Sequence, residues 1–95
     1  VQPDFHQNSV YIARSVYLDV LEHVLEQQSQ IIKFEVLNLQ IEGIPQMTIN
    51  IYLKSPVHYH VPTYLYKVQK DIADVFSHQF GIEPEKINLQ LRGIK

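Results

Sequence analysis

The chain has 95 residues, of which 45% are hydrophobic and 19% charged; that is the length of one domain and the composition of a folded chain rather than a disordered one. Eight Lys or Arg stand against ten Asp or Glu for a formal charge of -2, which provides no field to draw in a phosphate backbone, so nucleic acid is not an expected partner. The absence of Cys excludes disulfides, thiolate catalysis and Cys-based zinc or iron–sulfur sites together.

No stretch approaches the roughly 18 consecutive apolar residues needed to span a bilayer, and no basic region precedes an apolar one in the manner of a secretory signal. The expectation is a cytoplasmic protein without direct membrane insertion.

Val1 to Ser9 holds Pro3, Asp4, Gln7 and Asn8 without a period and reads as an arm or linker. Residues 10–95 then read as a single α+β domain. Ala13, Val16, Tyr17, Val20, Leu21, Val24 and Leu25 recur at helical spacing, with Ser15, Asp19, Glu22, His23 and Glu26 opposite them. This predicts an amphipathic helix from Ala13 to Gln28.

After the polar stop at Gln27 to Gln30, Ile32, Phe34 and Val36 alternate with Lys33 and Glu35 as in a strand. The phase then flips, because Leu37, Leu39 and Ile41 are the apolar set from there on. A β-bulge near Val36 and Leu37 is the preferred explanation; a strand buried on both faces is the alternative.

Glu42-Gly43-Ile44-Pro45 supplies the chemistry of a longer hairpin loop. Met47, Ile49, Ile51 and Leu53 then alternate with Thr48, Asn50, Tyr52 and Lys54 in the clearest strand of the chain.

Pro62 sits where a first helical position would put it. Leu65, Val68, Ile72, Val75, Phe76 and Gln79 form the inner stripe of a second helix, Lys67, Lys70, Asp71, Asp74 and His78 its wet face, and Gly81 a left-handed stop. The pairs Lys67–Asp71 and Lys70–Asp74 have the less favourable order along a helix, so little energy is expected of them. Glu83-Pro84-Glu85 is a turn, and Ile87, Leu89 and Leu91 alternate with Asn88, Gln90 and Arg92 in a last strand. The order is α-β-β-α-β. It predicts a two-layer sandwich in which a three-stranded mixed sheet carries both helices on one face.

Candidate chemistry is sparse. His58 and His60 flank Tyr59 and point the same way on an extended segment, but a catalytic zinc takes about three protein ligands. The other imidazoles, His6, His23 and His78, fall on the arm and on two solvent faces, so a solvated loop is expected and no metal. Ser9, Ser15, Ser29, Ser55 and Ser77 lack a nucleophile elbow, and Gly43, Gly81 and Gly93 make no phosphate-cradling loop. Glu83 and Glu85 flank a turn proline and read as solvated. No catalytic residue and no cofactor is therefore expected.

Surfaces are the better candidates. Tyr59, Tyr64 and Tyr66 cluster around the start of the second helix, and tyrosine is enriched at protein interfaces. Thr48, Asn50, Tyr52, Asn88, Gln90 and Arg92 form a polar sheet face, and an uncovered strand edge could pair with a second copy. An RNA-binding module would carry a GxxG loop or aromatics amid clustered Lys and Arg on its sheet, and neither is read here.

Residues Val10 to Ile94 resemble the alkaline shock protein family of Gram-positive bacteria, the Gls-type envelope stress proteins. The resemblance rests on V-Y-I-A-R-S-V before the first helix, M-T-I-N-I-Y-L, V-P-T-Y-L-Y-K-V-Q-K-D-I-A-D-V-F and the closing G-I-E-P-E-K-I-N-L-Q-L-R-G-I. It implies a small cytoplasmic protein without catalysis that self-assembles and is held near the membrane by an anchored partner. Function is thus expected to be non-enzymatic, in binding or assembly through protein contacts. The alternative is a soluble regulatory or dimerisation domain of a larger membrane protein such as a transporter, which the first residue, Val1, and the arm favour.

Overall fold

A computed structural model describes residues 11–95; the arm expected at Val1 to Ser9 lies outside the described residues. The elements are α1 (Arg14–Glu26), β1 (Ile31–Gln40), β2 (Gln46–Leu53), α2 (Val61–Phe80) and β3 (Lys86–Ile94). The strands lie in the order β1-β2-β3, with β1 antiparallel and β3 parallel to β2. This is the expected α+β order and mixed sheet.

Alternation along β2 decides the layering. Met47, Ile49, Ile51 and Leu53 are buried, and they join Leu21, Val24 and Leu25 of α1 and Val68, Ile72 and Phe76 of α2 in one core. Both helices therefore cover the same face of the sheet. Burying a side chain of this size contributes roughly 1.5–3 kcal/mol, so this row is the main source of cohesion. Tyr17, Phe76 and Phe80 close the core where α1 begins and α2 ends, with ring centroids 4.6 Å apart for Tyr17–Phe80 and 5.5 Å for Phe76–Phe80.

The phase flip in β1 is a bulge, as preferred: Val36 pairs with Ile49 and Asn38 with Thr48, which leaves Leu37 without a partner residue. A second shift, which the sequence pattern did not announce, lies between Ile31 and Lys33. It corrects the inner set of the strand. Ile31, Phe34, Val36 and Leu39 turn toward the helices, while Ile32 and Leu37 are exposed at 47% and 53%.

Two helical positions are corrected as well. Val16 is exposed and Leu18 packs on the core in its place, because the first turns of α1 lean on the end of α2 through Tyr17. Gln79 is exposed, and Phe80 occupies the inner position of the last turn. The helix begins at Val61, one residue before Pro62, with His60 as its N-cap. Gly81 ends it at φ 66°, the left-handed conformation expected.

Candidate protein interface

The sheet face turned away from the helices is built by the same alternation that buries the other. Thr48 pairs with Asn88 and Asn50 with Gln90 across β2 and β3, while Glu35, Asn38 and Gln40 flank Asn50, Thr48 and Gln46 from β1. The structure thus brings Thr48, Asn50, Asn88 and Gln90 together as the sequence pattern implied. A few long hydrogen bonds knit them: Asn50 Nδ2 donates to Glu35 Oε1 at 3.2 Å and Asn88 Nδ2 to Thr48 Oγ1 at 3.5 Å. The hairpin end is tied by more of them. Gln46 Nε2 donates to Gln40 Oε1 at 3.1 Å, and Gln40 Nε2 reaches the carbonyls of Glu42 and Ile44 at 3.1 and 3.2 Å, clamping the loop around Gly43.

Asn50 sits in the middle of this face, and its Oδ1 is shielded from solvent without a hydrogen-bond partner. A buried acceptor left unmatched costs about 1–3 kcal/mol. It is a local cost at the centre of this face, not a group that solvent reaches.

Arg92 does not align with the others. Ile51 pairs with Leu91 and Tyr52 with Gly93, so Arg92 is the extra residue of a bulge in β3. Gly93 is small where the Tyr52 ring crosses it: a Cβ there would meet Tyr52 Cδ2 at 3.3 Å. Around that ring the face is more basic than the strand pattern predicts. Lys33 Nζ lies 5.1 Å and Lys95 Nζ 5.0 Å from the Tyr52 centroid, both in range of a cation–π attraction. Sequence spacing does not group either lysine with Tyr52, because one is on β1 and the other follows β3.

The tyrosine cluster divides. Tyr59 and Tyr64 pack on the core with centroids 5.0 Å apart, and both hydroxyls are shielded without partners. Burial raises the Tyr64 phenol above its ordinary value of 10.0; the Gln30 backbone nearby opposes this without bonding to it. Tyr66 is 69% exposed and is the member of the trio that offers contact area.

His58 is exposed, and His60 turns its Nδ1 to the hydroxyl of Thr63 at 2.8 Å and accepts from the Thr63 N–H at 3.4 Å. Its role is to cap α2. Among the described residues no three His, Asp or Glu side chains gather in a way that could hold a metal ion.

Polar residues that the sequence pattern left as solvated hold the helices together. Gln28 is 8% exposed; its Nε2 donates to Asp71 Oδ2 at 3.0 Å, and its Oε1 lies 3.5 Å from Lys67 Nζ. Lys67 also pairs with Asp71 at 3.0 Å. That ion pair, aided by the Gln28 amide and opposed by partial burial, holds the Asp71 carboxyl below its ordinary value. The Gln27 to Gln30 stop signal contained this clasp, but only the packing of α1 on α2 selects Gln28.

Shallow grooves flank the core. One of about 380 Å³ lies between the start of α1 and the end of β1, lined by Tyr17, Leu39 and Ile41. Another of about 380 Å³ runs between α2 and β3, lined by Tyr66, Gln69, Lys70 and Ile87.

Comparison with protein-family models, with curated proteins and with solved structures found no match. No helix among the described residues is long and apolar enough to cross a membrane. The functional reading therefore rests on the surfaces just described.

Proposed function

We propose that the chain is a non-enzymatic binding and assembly module that acts through protein–protein contacts, including contacts with further copies of itself. The supporting observation is the one-sided sandwich: both helices cover one face of the sheet, and the other presents amide, hydroxyl and cationic groups around Thr48, Asn88, Gln90 and Tyr52. A polar patch of this kind suits a wet, reversible interface in which amides and a tyrosine supply the hydrogen bonds.

The role in envelope stress, the cytoplasmic setting and a membrane-anchored partner belong to this reading through the resemblance to the alkaline shock proteins. A regulatory or dimerisation domain of a larger membrane protein is the second reading, favoured by the same bare face, since such a domain also works by pairing. A gene scarcely longer than this chain favours the first, and added apolar runs of bilayer length the second.

The test is molar mass in solution by light scattering over a wide concentration range, with and without zinc. A species that grows with concentration and ignores zinc is the expected result. A strict monomer throughout overturns the self-association in this reading, and a monomer that pairs or gains stability only with zinc transfers the function to His58 and His60.

A further inference from the structure

The free edge of β3 is more specific than an uncovered strand, and which backbone groups it offers follows from four hydrogen bonds. Lys54 N–H donates to the Gln30 carbonyl on the β1 side, while the carbonyls of Pro45 and Leu53 accept from Glu85 and Lys95, and Ser55 N–H donates to Lys95, all on the β3 side. Odd residues of β2 therefore face β3. In the parallel ladder of Met47 with Ile87, Ile49 with Leu89 and Ile51 with Leu91, the groups turned back toward β2 are those of Asn88 and Gln90. The N–H and C=O groups of Ile87, Leu89 and Leu91 face outward.

An independent contact agrees. Gln69 reaches from α2 and its Nε2 donates to the Ile87 carbonyl at 2.7 Å, the shortest side-chain to backbone bond across the α2–β3 groove. Outward groups on a strand edge are recognised by another extended backbone.

The sequence along this edge says which backbone fits. Ile87-Asn88-Leu89-Gln90-Leu91 reads apolar, amide, apolar, amide, apolar in either direction. Antiparallel pairing of two copies about an axis through Leu89 sets Ile87 opposite Leu91 and Leu89 opposite Leu89 on the helix side. It sets Asn88 opposite Gln90 on the bare side. About six backbone hydrogen bonds result, all from groups now facing outward. The opposite edge offers nothing comparable, because β1 is interrupted by bulges at Ile32 and Leu37.

The geometry points to a two-fold dimer in which a second copy of this chain pairs antiparallel along β3, centred on Leu89, with Gln69 as a latch that occupies the Ile87 carbonyl in the monomer. This rests on the self-association proposed above and specifies its surface. It joins the two bare faces into one sheet of twice the width, and it places the exposed Tyr66 and half-exposed Leu91 beside the seam. Besides the Gln69 latch, one electrostatic term opposes it: Lys86 comes opposite the Arg92 bulge of the other copy, so added salt strengthens the dimer by screening like charges.

Light scattering and sedimentation of four chains test the assignment. Asn88→Glu with Gln90→Glu sets like charges opposite each other twice and is expected to weaken association roughly tenfold or more, whereas Asn88→Lys with Gln90→Glu restores or tightens it. Gln69→Ala, which frees the Ile87 carbonyl, is expected to tighten it about fivefold. All three sites lie outside the buried core, and far-ultraviolet dichroism checks the fold. A wild-type dimer that ignores all three variants overturns the β3 edge and leaves self-association standing. A chain monomeric at every concentration, in wild type and Gln69→Ala alike, overturns both.

Discussion

Asp71 and Gln28 show how a polar pair can matter without a large energy. The Asp71 carboxyl is held below its ordinary value of 3.8, first by the Lys67 ammonium and then by the Gln28 amide. A depressed carboxylate adds stability that is present above the unfolded-state value and fades as pH falls toward the folded one. Asp71→Asn is therefore expected to lower the urea midpoint near neutral pH and to leave it unchanged well below the ordinary Asp range. Because Asp71 keeps 37% of its side-chain surface exposed, the gap is expected to be small. Tyr59 and Tyr64 carry the opposite case. Their hydroxyls are shielded and unmatched, so Tyr59→Phe and Tyr64→Phe are each expected to be neutral or stabilising by up to about 1 kcal/mol in denaturant unfolding. Tyr64→Phe also flattens the alkaline limb, because burial disfavours the phenolate and wild-type stability falls as pH climbs past the ordinary tyrosine range. Of these roles only the Lys67–Asp71 pair was legible in the sequence, with the small energy expected of it; the Gln28 contact and the unmatched tyrosine hydroxyls were not. Period and spacing report which side of an element a residue is on, but not whether a polar atom finds a partner there.

At the scale of elements, the alternation of β2 and the flip in β1 were both legible, because a period of two exposes any inserted residue. Leu37 is such a residue, and its removal leaves Val36 inward, Asn38 outward and Leu39 inward with no bulge between them. Deletion of Leu37 is therefore expected to preserve cooperative unfolding while straightening the β1 edge, and to add a concentration-dependent heavier species in light scattering. The bulge at Ile32 was not legible: two adjacent isoleucines satisfy either phase, and only pairing with Leu53 and Tyr52 selects Ile31 as the inward one. The same limit applies to the ends of α2. Gly81 announced its left-handed turn, and Gly81→Ala is expected to cost about 1 kcal/mol, because an added methyl meets open space but the positive φ disfavours it. The replacement of Gln79 by Phe80 on the inner face follows from aromatic contact with α1, which the stripe of a single helix cannot report.

For the molecule as a whole, composition and element order implied one α+β sandwich, and the helices do share a face. What the order could not give was which strand lies between the others, and that decides the open edges and the bare face. Cohesion is concentrated where α1, α2 and β2 meet, so Phe76→Ala, at a fully buried ring, is expected to cost about 3–5 kcal/mol. That is a large part of the 5–15 kcal/mol typical of a domain, and thermal unfolding should report it as a marked fall in midpoint. The central place of β2 also bears on synthesis. Its antiparallel partner precedes it directly, but its parallel partner is separated from it by the whole of α2. A nascent chain that has emerged only through residue 85 carries a hairpin whose inner strand still lacks hydrogen bonds along one side. Until residues 86–95 have emerged, the most deeply buried strand of the fold is an open template, and the pace of translation over that stretch sets how long it stays one.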